Sequence, residues 1–128
     1  QNTSDAYHKI TCNGDSGNNY SYVVHGRYSG GYTLVHGESV AFMATTDTTA
    51  GNLIKTANEC LVVVEFSTWT SNPNKSLFIG KGSWVNASGN PGGCSASGTY
   101  SGAATLTTVT YAPSAGTITG TIILYSMN

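Results

Sequence analysis

A single antiparallel β-sandwich of jelly-roll or immunoglobulin-like type, with about seven strands and little or no helix, is the fold class this sequence predicts. Three observations predict it. Val, Ile, Thr and Tyr are plentiful and are set between frequent Gly, Asn, Ser and Pro clusters. Apolar residues do not recur at i, i+3, i+4, i+7 over any long window, and the helix formers Leu, Glu, Lys and Arg are scarce. The 128 residues suit one domain spanning 1–128, long enough to bury a core, with no linker to divide it.

In chain order the strand signals fall near 6–12, 20–28, 32–46, 60–70, 76–86, 98–111 and 116–127. The turn clusters NGDSGNN (13–19), SGG (29–31), TTDTTAGN (45–52), SNPN (71–74), NASGNPGG (86–93) and APSAG (112–116) separate them. The run CLVVVEF (60–66) is apolar on both faces and reads as a central strand. TITGTIILY (117–125) is the other strong strand, with Ile118, Gly120, Ile122 and Leu124 on one side. GNLIKTANEC (51–60) is the best helical candidate, but it is short enough to be a loop.

The composition narrows the function. Only 9% of residues are charged and the net charge is −1. Ser, Thr, Asn and Gly make up 60 of 128 residues, so the surface is built of hydroxyls and amides. Lys9, Arg27, Lys55, Lys75 and Lys81 are scattered, whereas a nucleic-acid surface needs cations clustered on one face. No apolar run reaches the roughly 20 residues of a spanning helix. Neither nucleic acid nor membrane insertion is expected, and no cofactor motif occurs.

The chain starts at Gln1 without Met, as expected of a mature secreted protein whose signal peptide has been removed. Cys12, Cys60 and Cys94 then imply one disulfide and one free thiol, or an intermolecular bridge. None of the three lies at metal-ligand spacing, so no metal site is expected. Sequons at Asn2, Asn19, Asn74 and Asn86 are glycosylation candidates, although 11 Asn in a chain with 33 Ser and Thr give about three by composition.

The candidate site chemistry begins at VVHGRYSGGYTLVHGES (23–39). A two-residue Gly30–Gly31 hairpin turn would place His25 opposite His36, with Arg27 and Glu38 on the same face. His25, His36, Glu38 and Arg27 are the residue inventory of a metal-free ribonuclease, in which two of them move protons and Arg stabilises the phosphorane. The resemblance to small secreted microbial ribonucleases ends at that inventory, since order and context differ. A cross-strand pair on a partly exposed hairpin is the simpler reading. Asn13, Asp15, Gly17 and Asn19 alternate like a calcium loop but lack its Gly and Glu, and they read as a turn. Glu59 and Glu65 do not form a glycosidase pair, and enzyme function is not expected.

Binding or assembly remains. Trp69 and Trp84, with eight Tyr among Asn, Asp and Ser, would suit a lectin whose aromatic faces stack on sugars, although most of them read as packing residues. Few Lys guard the strand edges, which suits a structural or adhesive subunit of a surface filament or pilus pairing with other copies of itself. AYHKITC (6–12) is the candidate donated strand. The partners expected are therefore further copies of the chain, or glycans in the lectin alternative.

Overall fold

The computed structural model describes residues 1, 4–28, 30–49, 52–69 and 72–125, with the side chains of 68, 69 and 72–74 outside that description. Asn2 and the side chains of Trp69 and Asn74 therefore lie outside the described residues.

Eight strands form among the described residues, β1 (His8–Cys12), β2 (Tyr20–Tyr28), β3 (Gly31–Val40), β4 (Met43–Ala44), β5 (Cys60–Trp69), β6 (Asn72–Val85), β7 (Pro91–Tyr100) and β8 (Val109–Pro113). All neighbours are antiparallel. A five-stranded sheet of order β3-β2-β7-β6-β5 faces a three-stranded sheet of order β4-β1-β8. The expected sandwich is present, with eight strands rather than seven and no helix among the described residues. The 52–59 stretch is a loop, and its Ile54 is buried through paired backbone bonds with Ala6.

The extra strand arises where the chain changes sheets. The 32–46 run breaks after Val40, so β3 stays in the large sheet and β4 joins the small one. A bulge between Tyr20 and Tyr22 and a left-handed Ser39 (φ 53°) mark the break. Pro91–Tyr100 is one strand although its first residues read as a turn. Gly92 belongs in the ladder because a Cβ there would lie 2.9 Å from Trp84 Nε1.

Two positions reverse the expectation. CLVVVEF is not central, because β5 is an edge of the large sheet. TITGTIILY joins neither sheet as a strand. Past β8 the Thr119 amide is tied to the neighbourhood of Gln1, whose ammonium donates to the Thr119 carbonyl while its own carbonyl accepts from the Thr119 N–H. This holds the chain away from a hairpin with β8. The expected N-terminal donor is also corrected, since β1 is the middle strand of its own small sheet, with His8, Ile10 and Cys12 buried.

Ile10, Cys12, Tyr20, Met43, Phe78 and Tyr100 form the main core, beside a smaller cluster of Val24, Ala44 and Ala96. Tyr20 and Tyr100 pack with ring centroids 4.9 Å apart. The Tyr20 hydroxyl accepts from the Cys12 amide at 2.7 Å and donates to the Asp15 carbonyl at 3.0 Å. The expected intramolecular disulfide is absent, and all three cysteines are free. Cys60 pairs with Trp84 and Cys94 with Gly82, so β6 separates them by two strand spacings, about 10 Å, beyond disulfide reach. Cys12 lies in the other sheet.

His8 is buried, with Nδ1 hydrogen-bonded to the Tyr111 hydroxyl. Burial, aided by the N-terminal ammonium, lowers its pKa to about 4. The unfolded chain therefore binds this proton more readily between about pH 6.5 and 4. Stability from the neutral ring is complete above that window and falls as pH drops through it, by up to about 3 kcal/mol. Denaturant titrations across pH 4–8 should show this loss, and His8→Gln should flatten it. A profile unchanged by the substitution would assign the acid limb to other groups.

Candidate functional site

The outward face of the five-stranded sheet is the most distinctive surface of the molecule. Register places its residues in rows across the sheet. One row reads Leu34, His25, Ser95, Lys81, Val63, and the next reads His36, Val23, Ser97, Ile79, Glu65. Arg27 lies beside Tyr32 at one end, its guanidinium carbon 5.4 Å from the ring centroid. Ser95, Ser97 and Thr99 on β7 are short, so the sheet surface dips between β2 and β6. The result is an open groove of about 520 Å³ lined by Val23, His36, Glu38, Leu77, Ile79 and Ser97. Val23, Leu77 and Ile79 give it aliphatic patches among the polar His36, Glu38 and Ser97, and it is open to solvent.

The candidate hairpin residues do share this exposed region, but not in the expected pairing. The ladder closes with Tyr28 opposite Gly31, two positions off the Gly30–Gly31 register. His25 is therefore opposite Leu34, and His36 is opposite Val23. An even offset preserves the faces, so His25, Arg27 and His36 remain together on the outside. The histidines become diagonal neighbours, with Cβ atoms roughly 7–8 Å apart. Glu38 lies past His36 near the bulge and lines the groove. All four side chains are exposed, a poor setting for tuning proton transfer at a single reacting atom.

Trp84 is 4% exposed, and its indole N–H donates to the Asn52 carbonyl at 2.9 Å. It belongs to the interior and offers no face to a sugar. Tyr20 and Tyr100 are also core residues, while Tyr7 and Tyr22 stack on Phe42. Tyr32 and Tyr125 are the exposed large tyrosines among the described residues.

Asn86 is buried, and its side chain caps its own loop by accepting from the Ser88 and Asn90 amides at 3.1 and 2.9 Å. A glycan would join at Nδ2, which is buried and donates to Asn52 Oδ1 at 3.4 Å. Asn19 donates at 2.8 Å to Asp15, whose carboxylate also accepts from the Gly17 amide and Tyr100 hydroxyl. These donors hold Asp15 below the usual carboxylate range, led by the Gly17 amide, and make the 13–19 segment a turn. Among the described residues no three His, Cys, Asp or Glu side chains gather in a way that could hold a metal ion.

The site features missed by sequence reasoning lie around β5. Leu61 and Val63 are exposed on the outer face, at 70% for Leu61. On the inner face Phe66 is 42% exposed while its cross-strand partner Phe78 is 2% exposed. Burial pushes the Cys12 thiol up to about 11 and the Cys94 thiol up to about 12. Both are poorly nucleophilic at neutral pH. Alkylation followed by intact mass should find three modifiable thiols after denaturation without reductant. In the native chain Cys12 and Cys94 should react far more slowly. Fewer than three labels in the denatured, non-reduced chain would reveal a disulfide.

Comparison with known protein families, with curated proteins and with solved structures finds no match.

Proposed function

We propose that this chain is an extracellular, non-catalytic structural or adhesive β-domain that assembles with copies of itself through β-strand contacts, as a subunit of a surface filament does. The carrying observation is the open side of the sandwich, where five strands face three. It leaves the ten-residue β5 as an edge with apolar side chains exposed on both faces. β5 contains no Lys and no Pro, the residues that usually blunt an edge. Such a strand has the composition of one flanked on both sides, and a neighbouring copy would supply the missing side.

The low charge supports the same reading, because few like charges oppose the approach of identical surfaces. Carbohydrate binding has less support, since Trp84 is interior and offers no ring face to a sugar.

Size-exclusion chromatography and negative-stain microscopy over a concentration series should show growing assemblies. Leu61→Lys with Val63→Lys, on exposed outer positions of β5, should reduce assembly while leaving the β-sheet circular dichroism intact. A wild-type chain that stays monomeric at high concentration would refute the filament reading.

A further inference from the structure

The most apolar exposed segment described is 122–125. Ile122, Ile123, Leu124 and Tyr125 are 65% to 87% exposed and belong to neither sheet. Yet 117–125 carries the pattern of a half-buried strand, with Ile118, Gly120, Ile122 and Leu124 on one side and mainly Thr on the other. It contains no charged residue.

The molecule also has a slot of matching character. β4 sits over β2 and β7, with Ala44 against Val24 and Ala96. β8 carries Tyr111, which packs with Leu106 and with Val64 of β5 against the core containing Phe78. Beyond β8 the small sheet has no further strand among the described residues. Val62, Val64 and Phe66 share the inward face of β5 with Phe78 across the ladder, and each keeps part of its surface in solvent. A fourth strand beside β8 would cover them.

We propose that residues 118–124 of one copy add as a strand to the β8 edge of another copy, laying Ile118, Ile122 and Leu124 over Val62, Val64 and Phe66. This inference rests on the self-assembly reading and names its donor and its acceptor. The segment and the slot agree in two respects: both are uncharged at the contact and both are apolar on one side, and the donor is long enough to span the five residues of β8. The chain's own segment does not occupy the slot, because Thr119 is tied to Gln1. Donor and acceptor are different surfaces, so each copy can give one strand and receive another, and the contact propagates instead of closing.

The test uses two full-length variants. Ile122→Lys with Leu124→Lys spoils the donor and leaves the slot intact. Val62→Lys spoils the slot and leaves the donor intact, its long side chain reaching solvent in the free monomer. Each alone should raise the concentration at which assembly sets in by roughly tenfold or more, the scale set by burying one aliphatic side chain. Mixed together, they should form a one-to-one dimer that grows no further. The donated tail needs no folded chain behind it, so wild-type circular dichroism of both variants is the accompanying check on folding. A synthetic peptide of sequence TITGTIILY should shorten wild-type assemblies, and the same peptide carrying Lys at the positions of Ile118 and Ile122 should not.

Continued assembly of the donor-spoiled variant, with loss only for Leu61→Lys with Val63→Lys on the outer face of β5, would overturn this inference and leave the assembly reading standing. Amide protection of 121–124 in a monomer would overturn it by showing the segment folded back on its own β8. A wild-type chain with no assembly would remove the reading beneath it. Failure of the mixed variants to dimerise while both give wild-type circular dichroism would also overturn it.

Discussion

The organising constraint is a buried carboxylate without a cation. Asp47 is fully buried and lies where β2, β3 and Asn52 converge. Its oxygens accept from the Thr33 hydroxyl, the Asn52 side chain at 2.9 Å and the Thr49 amide at 2.8 Å. Burial alone would raise its pKa, but the Thr33, Asn52 and Thr49 donors together outweigh it and hold the group below the usual carboxylate range. Gly26 is required beside it, since a Cβ there would fall 2.0 Å from Asp47 Oδ2. Asn52 passes the network on, as its side-chain oxygen accepts from Asn86 and its carbonyl from Trp84. One acid thus fastens two loops and an indole with neutral donors only. In a chain with so few cations, amides and hydroxyls take the place of ion pairs.

Much of this could be read from residue order, because local pattern and turn chemistry act over short distances. Tyr20–Tyr28 and Cys60–Trp69 begin and end almost where their β-branched runs and flanking Asn, Ser and Gly residues indicate. The boundaries that failed depend on contacts remote in sequence. Pro91–Gly93 resembles a turn until Trp84 is seen to need a residue without a side chain beside it. The division of 32–46 reflects a change of sheet, which no alternation within the run records.

The site was less legible for the same reason. Trp84 and Asn86 have the residue types of a surface that meets ligands, and in the fold they are interior parts of the Asp47 network. The exposed hairpin residues were identifiable by face, since strand alternation fixes that, but their partners depended on a turn whose centre lies elsewhere in the Gly-rich stretch. CLVVVEF shows the limit most clearly. Its two apolar faces record how much surface it must lose, and composition does not say whether its own chain or a second molecule covers it.

The two-position offset in the β2–β3 hairpin bears on how this chain can vary. Face identity depends only on whether the register sum is odd or even, so inserting or deleting two residues near the turn leaves His25, Arg27 and His36 outward. A change of one residue confined to the β3 side would invert that strand, turning Thr33 and its hydroxyl away from Asp47. The hairpin tip is therefore free to change length in pairs, while its parity is locked by a buried acid several residues away.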